Sequence, residues 1–384
     1  MRKITDLFRN FARTGDLVLL FLCLFTNSFG CLIVASTTRH LGSSRFVIIQ
    51  LFAMFLGVLL YIILTNIDVE IFTERRGLLV AFNILLMAML IPFGTDNGSG
   101  NKSWIDFPLL PVNIQPAEIC KITFVMILAK VMAIHQAHLS SLRSVAHMGL
   151  HAGLMIGMIM VLSRDAGVAL IFVFIFIVMV YVAGLDYRWI LAGVLALAAL
   201  LPLVWNYMMD DYQQNRILVL FDSSIDPQGL SIRWHMKNSL LSLTAGGITG
   251  QGLFHGNRTQ IGALTAQHTD FIFSAIGEEL GFLGCFLVLL LLAAIIVRCV
   301  YVGLRTPDYC NRLICVGVAS AMAFQIISNV GMCLGLMPVI GLTLPFISYG
   351  GSSIVSMYLS MGIISSIYAR PTHSQQDLYI HGPM

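Results

Sequence analysis

Apolar residues gather along the chain into ten runs of about membrane-spanning length: 17–36, 46–65, 77–94, 116–134, 147–163, 167–184, 189–205, 270–300, 313–336 and 346–368. A hydrocarbon core about 30 Å thick takes roughly 20 residues of helix to cross. The pattern therefore predicts an all-α polytopic membrane protein of ten transmembrane helices. Only Ser163, Arg164, Asp165 and Ala166 separate the fifth run from the sixth, which predicts a tight turn. The eighth run is too long for one simple crossing at about 1.5 Å per residue. It is expected to project from the bilayer or to bend near Gly277 or Gly281. The polar stretch 205–269, between the seventh and eighth runs, is expected to be a long loop.

Composition narrows the class. The 384 residues are 58% hydrophobic and 11% charged, where a soluble domain carries about 25% charged residues. No room is left for a separate soluble core, so residues 1–384 are expected to form a single membrane domain. The basic, amphipathic start has no small-residue cleavage site after the first apolar run. Residues 1–16 are accordingly expected to be an uncleaved cytoplasmic tail, and the polar residues 371–384 a second one. The eight cysteines lie in or near apolar runs and none falls in 205–269, which argues against a disulfide-stapled outer domain.

Lysine and arginine placement orients the bundle. With the N-terminus inside, thirteen cations fall on the cytoplasmic side: Arg2, Lys3, Arg9, Arg13, Arg75, Arg76, Lys130, Arg143, Arg188, Arg298, Arg305, Arg312 and Arg370. Seven fall outside: Arg39, Arg45, Lys102, Arg216, Arg233, Lys237 and Arg258. Lys121 lies within a span and Arg164 in the tight turn, which completes the 22. The bias predicts cytoplasmic termini. It places 205–269, Trp104, Asp270 and the segment 338–353 on the outer face. The net charge of +3 carries little information about partners, and no nucleic-acid partner is expected.

Two polar segments break the apolar pattern, HTDFIFSAIGEELG at 268–281 and PVIGLTLPFISYGGSS at 338–353. Irregular backbone survives at membrane depth only where it is buried or lines a wet cavity. Ionisable groups in such places are functional-site candidates. Asp270 opens the eighth helix, where the dipole keeps a carboxylate ionised and able to accept a proton; its plainer role is a helix cap. Ser352 adds a hydroxyl to the second segment. Glu278 and Glu279 are costly in an apolar run, so at least one should face polar groups or water.

Other candidates carry plainer readings beside the functional ones. Glu118 and Lys121 share a helix face at i, i+3; they could line a polar cavity or simply fix packing. Arg216, Arg233, Lys237 and Arg258 could bind a diphosphate, or form a solvated loop surface. Gly246–Gly252 could approach a phosphate, or be a flexible turn. Asp165 could be a turn residue or a cavity group. His147 and His151 have a metal-compatible spacing but no third ligand nearby, so they read as interfacial histidines.

The two segments, the glycine-dense stretch, QPAE-x-x-K and NVGMCLGLMPVIGLTLPFISYGGSS together resemble the shape, elongation, division and sporulation (SEDS) family, the RodA/FtsW/SpoVE group. The resemblance spans nearly the whole chain. It implies polymerisation of lipid II into glycan strands at the outer face of the bacterial cytoplasmic membrane, and a class B penicillin-binding protein as partner. It implies Asp270 as the catalytic group. It aligns Glu118 and Lys121 with the family's Glu-x-x-Lys pair, Trp104 with its outer-loop tryptophan, and Arg216 with the arginine of its Arg-Ile pair. Ala117 departs from the usual serine, and Leu264-Thr265-Ala266-Gln267 departs from the usual Leu-Pro approach. NVGM leans towards elongation proteins; IGEELG leans towards division and sporulation proteins.

Such a reaction needs a base for the acceptor's 4-hydroxyl and charge offset for the departing undecaprenyl diphosphate. Asp270 is the candidate base. Arg216, with Arg258 or Lys237, or a divalent cation such as magnesium or manganese, would offset the charge, although no metal site is evident in the sequence. A groove open to membrane lipids would admit the polyprenyl tails. A flippase for the same precursor is the competing reading, but transporters are expected to show internal repeats and a midplane site, and no repeat is evident. A scaffold that mainly binds the partner would leave Asp270 without a task.

Overall fold

The computed structural model describes residues 2–95, 101–106, 113–207, 209, 211–226 and 232–370. The helices are α1 (Arg2–Thr14), α2 (Leu17–Thr37), α3 (Arg45–Thr65), α4 (Val69–Glu74), α5 (Arg76–Ala88) and α6 (Leu90–Phe93). A two-residue hairpin follows, β1 (Gly94–Thr95) against β2 (Trp104–Ile105), antiparallel. Then come α7 (Pro116–Ile134), α8 (Leu142–Met158, continued by a π turn to Ser163), α9 (Ala166–Val182) and α10 (Tyr187–Tyr207). The chain continues through α11 (Asp211–Leu218), α12 (Ile232–Gly246), α13 (Asn257–Gln260), α14 (Ile272–Arg305), α15 (Tyr309–Cys333) and α16 (Gly351–Ala369).

The protein is a multi-pass, all-helical membrane protein. Among the described residues, eight helical segments are long and apolar enough to cross a bilayer. The other two predicted runs are occupied by α9, an apolar helix of 17 residues, and by α7, whose 19 residues include Glu118, Lys121 and Lys130. Helices α15 and α16 bury 72% and 67% of their most apolar stretch and α10 buries 0%, so the first two are central and α10 is peripheral. The pairs α3–α16, α14–α15, α12–α14 and α9–α15 supply the main packing, and α10 leans on α9. At one end of the bundle Arg298 makes a two-pronged ion pair with buried Asp16, Nε to Oδ2 2.8 Å and Nη2 to Oδ1 2.9 Å, which ties α14 to the start of α2.

Several expectations meet the structure directly. Arg164 adopts a left-handed φ of 53° in the turn between α8 and α9, and Asp165 caps α9 through Val168 N–H at 3.0 Å. The long eighth run does break at Gly281, with φ 67° and ψ −163°. All eight cysteines are free and buried. The tail 371–384 lies outside the described residues.

The long connection between the seventh and eighth runs carries three helices of its own, α11, α12 and α13. One expectation is corrected. The glycine-dense segment 246–252 is neither a free turn nor an open cradle, because it is docked on the break in α14. Four backbone bonds of 2.8–3.1 Å hold it there: Gln251 to Glu278, Gly252 to Glu279, Phe282 to Gly247 and Leu283 to Ile248. A Cβ on Gly246 would lie 1.8 Å from the Gly277 carbonyl oxygen, and one on Gly250 would lie 2.2 Å from that of Glu279. Close backbone approach, and not phosphate binding, accounts for these glycines.

The same docking explains the adjacent acids. Glu278 accepts bonds from Arg258 N–H, Thr259 N–H and the Thr259 hydroxyl, so it caps α13. Glu279 accepts from Ser36 Oγ at 2.6 Å and Gln260 Nε2 at 2.9 Å. Both carboxylates are fully buried yet hydrogen-bonded, as buried charge requires.

Candidate active site

Three of the candidate residues, Asp270, Asp165 and Arg216, gather at the irregular segment 338–350. Asp270 stands in the turn before α14. Its Oδ2 lies 3.7 Å from where a Cβ on Gly341 would be. Its main chain is clamped by α15, where Asn329 Nδ2 donates to the Asp270 carbonyl at 2.9 Å and to the Leu342 carbonyl at 2.7 Å. Ser348 Oγ donates to the Thr269 carbonyl at 2.6 Å and Tyr349 N–H to that of His268 at 2.8 Å. The carboxylate is therefore presented from a backbone held on both sides. Asn329 and Ser348 were not identified from sequence; the NVGM and FISY motifs that contain them were the available signal.

Asp165 lies near the same segment, one residue earlier along it. Its Oδ1 is 3.4 Å from a Cβ built on Gly167, itself 2.8 Å from the Ile340 carbonyl oxygen. Ser103 Oγ reaches Asp165 Oδ2 at 3.3 Å and Ser163 Oγ at 2.8 Å. Trp104, next to Ser103, is half-buried in β2 and accepts a bond from Thr95 at its carbonyl. Ser103, and not Trp104, makes the contact with Asp165, since successive side chains of an extended strand point to opposite faces. Arg216 on α11 donates to the Val339 carbonyl at 3.2 Å. With His235 of α12 and Pro338, it lines a cavity of about 20 Å³.

The electrostatics follow from this packing. Burial raises the Asp270 carboxyl to about 6, opposed by the hydrogen bond from Thr269 and the charge of Arg216, and reinforced by Asp165. Burial also raises Asp165 above the usual carboxylate range, against hydrogen bonds from Val168, Ser103 and Gly167. Arg216 and Asp165 therefore both act on the Asp270 carboxyl, in opposite directions.

Glu118 and Lys121 form the expected pair at 3.0 Å, both buried on α7. The structure extends it into a network that spacing alone did not reveal. Ser356 of α16 donates to Glu118 at 2.6 Å, and Lys121 donates to Gln325 of α15 at 3.4 Å. The pair therefore pins three central helices together. The charge of Glu118 also raises Asp165, which connects the network to the site.

The remaining candidates lie elsewhere or are otherwise engaged. Arg258 bonds Ser242 Oγ at 3.2 Å and Asn238 Oδ1, so its guanidinium is held on α12. Lys237 is exposed on α12. The Ser352 hydroxyl is buried without a hydrogen-bond partner among the described residues, at the start of α16. His147 bonds His135 at 3.2 Å, and His151 stacks on Phe124. Among the described residues, no three His, Cys, Asp or Glu side chains are grouped to hold a metal ion.

Comparison with known proteins agrees with this architecture. A family model described as cell cycle protein, covering FtsW, RodA and SpoVE, matches residues 16–373. The chain is 28% identical over 313 residues to the peptidoglycan glycosyltransferase MrdB of Escherichia coli (strain K12), covering 82% of this chain and 83% of that protein. It is 31% identical over 360 residues to stage V sporulation protein E of Bacillus subtilis (strain 168), covering 92% and 96%. Among solved structures, it resembles a chain of a peptidoglycan synthase complex that coordinates polymerization and crosslinking, with TM-score 0.78, 29% identity, and 94% and 99% coverage. It also resembles the rod shape determining protein RodA of Thermus thermophilus, with TM-score 0.69, 26% identity, and 94% and 98% coverage.

Proposed function

The chain belongs to the FtsW, RodA and SpoVE family, and from that membership we propose that it polymerises lipid II with Asp270 as general base. It is a peptidoglycan glycosyltransferase, like its curated relatives. The observation that carries the catalytic reading is Asp270 itself, a half-buried carboxylate raised to about 6 and aimed at the 338–344 backbone, with Arg216 held on the same segment.

Asp270 takes the proton from the acceptor's 4-hydroxyl as that oxygen attacks the donor's anomeric carbon. The bond to undecaprenyl diphosphate breaks, and Arg216 offsets the charge on the departing diphosphate. Asp165 stands close enough to act on Asp270, Trp104 lies beside its partner Ser103 in the chain, and Ser352 offers an unpaired hydroxyl. Lys237 and Arg258 extend the cationic outer surface. A magnesium or manganese ion, where required, would arrive with the substrate diphosphate, since Mg²⁺ is usually held by substrate phosphates and one or two carboxylates. The crosslinking partner in this proposal is a class B penicillin-binding protein.

The test is conversion of lipid II to glycan polymer by the purified protein, read on a gel. Polymer would exclude a pure flippase or scaffold, neither of which makes glycan product; a well-folded protein that makes none would overturn the enzyme reading. The rate should also depend on pH in a set direction. The base must be ionised, so kcat/KM should rise tenfold per pH unit below about 6 and level off above it. The stability contribution runs the other way. A folded value of about 6, above the ordinary 3.8, means this group favours the fold fully below 3.8 and loses that contribution as pH rises through 6.

We further propose ten crossings with both termini cytoplasmic, on the strength of the thirteen-to-seven cation bias. In a cysteine-free background, Phe221→Cys, at a site 86% exposed on the proposed outer side, should react with an impermeant maleimide added to intact cells. Thr14→Cys on α1 should react only after the cells are opened. The reverse pattern would invert the orientation and remove the outer-face active site.

A further inference from the structure

The segment that presents Asp270 towards Gly341 presents His268 to a different neighbourhood. The His268 ring lies 5.0 Å from that of Phe46 and 5.7 Å from that of Tyr349, and Phe46 and Tyr349 are 5.1 Å apart. All three rings are only partly buried. Exposed Arg45, at the first position of α3 beside Phe46, acts electrostatically on Tyr349. Exposed Arg39, six residues earlier in the turn between α2 and α3, lies over the Phe254 ring at 6.0 Å. No carboxylate forms an ion pair with Arg39 or Arg45 among the described residues. Below Arg45, Ile48, Phe52, Phe55 and Leu59 run down one exposed face of α3.

Cations above an aromatic cluster, at the end of an apolar helix face, match a particular chemistry. The guanidinium groups suit a diphosphate, the rings suit the apolar faces of sugar rings, and the helix face suits a polyprenyl chain. The polymerisation reaction requires two such molecules at once, because donor and acceptor are both lipid-linked. The Asp270–Arg216 side accounts for one diphosphate.

We propose that Arg39, Arg45, Phe46, His268 and Tyr349 form a second subsite, which takes the diphosphate-sugar headgroup of the acceptor lipid. The assignment rests on the polymerase reading above. It places the acceptor within two residues of the base along one clamped segment, with the donor's leaving group beside Arg216 at Val339.

The experiment uses the full-length protein in phosphatidylcholine nanodiscs, comparing wild type, Arg39→Gln/Arg45→Gln, and Arg143→Gln as a distant cation control. In the polymerisation assay the double variant should raise the half-saturating lipid II concentration about tenfold, the scale of lost charge-assisted contacts. Turnover at saturation should change much less, and Arg143→Gln should behave as wild type. In a separate arm, labelled undecaprenyl diphosphate should bind wild type at two equivalents per chain and the double variant at one. Unchanged half-saturation and stoichiometry in a folded double variant would overturn the subsite. So would full displacement of the second equivalent by phosphatidylglycerol, which would mark a general anionic-lipid contact. If wild type made no polymer, the polymerase reading would fail, and loss of one bound equivalent would still locate a polyprenyl-diphosphate site at this patch.

Discussion

Asp270→Asn should abolish glycan polymerisation while leaving the fold and partner binding nearly intact. Asparagine keeps the size of the side chain and one hydrogen-bonding oxygen, but it cannot accept the proton. General-base removal is worth about 10²–10⁴-fold in rate, enough to take polymer below detection on a gel. The fold should survive because the clamp engages the backbone: Asn329 and Ser348 hold the carbonyls of Asp270 and Thr269, and neither bond involves the carboxylate. Asp270→Glu should also be impaired, since an extra methylene moves the carboxylate by about 1 Å, a costly shift at a reacting centre. The control is pull-down with the partner protein. Normal polymer from a well-folded Asp270→Asn protein would remove Asp270 as the base.

The second large effect is expected at the buried pair. Glu118→Ala or Lys121→Ala strands a charge among α7, α15 and α16, and breaking a buried pair by removing one partner costs about 3–5 kcal/mol. Each change also removes a cross-helix contact, Ser356 to Glu118 in one case and Lys121 to Gln325 in the other. Both single variants should therefore lose thermal stability and polymerisation together. The swap Glu118→Lys with Lys121→Glu should recover stability before activity, because Ser356 and Gln325 would then face the wrong partners. Thermal unfolding in detergent and the gel assay read the two quantities separately. Wild-type stability and polymer yield from either alanine variant would show that the pair serves neither structure nor chemistry.

The sequence determined what local chemistry can determine. Run length and polarity set the helical membrane class, because a bilayer admits few backbone solutions. A four-residue break marked the turn at Asp165, and the overlong apolar run pointed to a bend at Gly277 or Gly281, of which the packed structure uses Gly281. The i, i+3 spacing brought Glu118 and Lys121 together, since neighbours on one helix face meet whatever the tertiary fold. The motif resemblance singled out Asp270. Tertiary structure alone decided what holds these groups. Asn329 reaches the Asp270 carbonyl across 59 residues and Ser356 reaches Glu118 across 238, separations that no periodicity records. It also decided that the glycines at 246–252 serve backbone docking on α14, and that Arg258 is held by Ser242 and Asn238 while Arg216 reaches the site segment. A cation's residue type is written in the chain, but its hydrogen-bond partner is fixed only when distant helices pack.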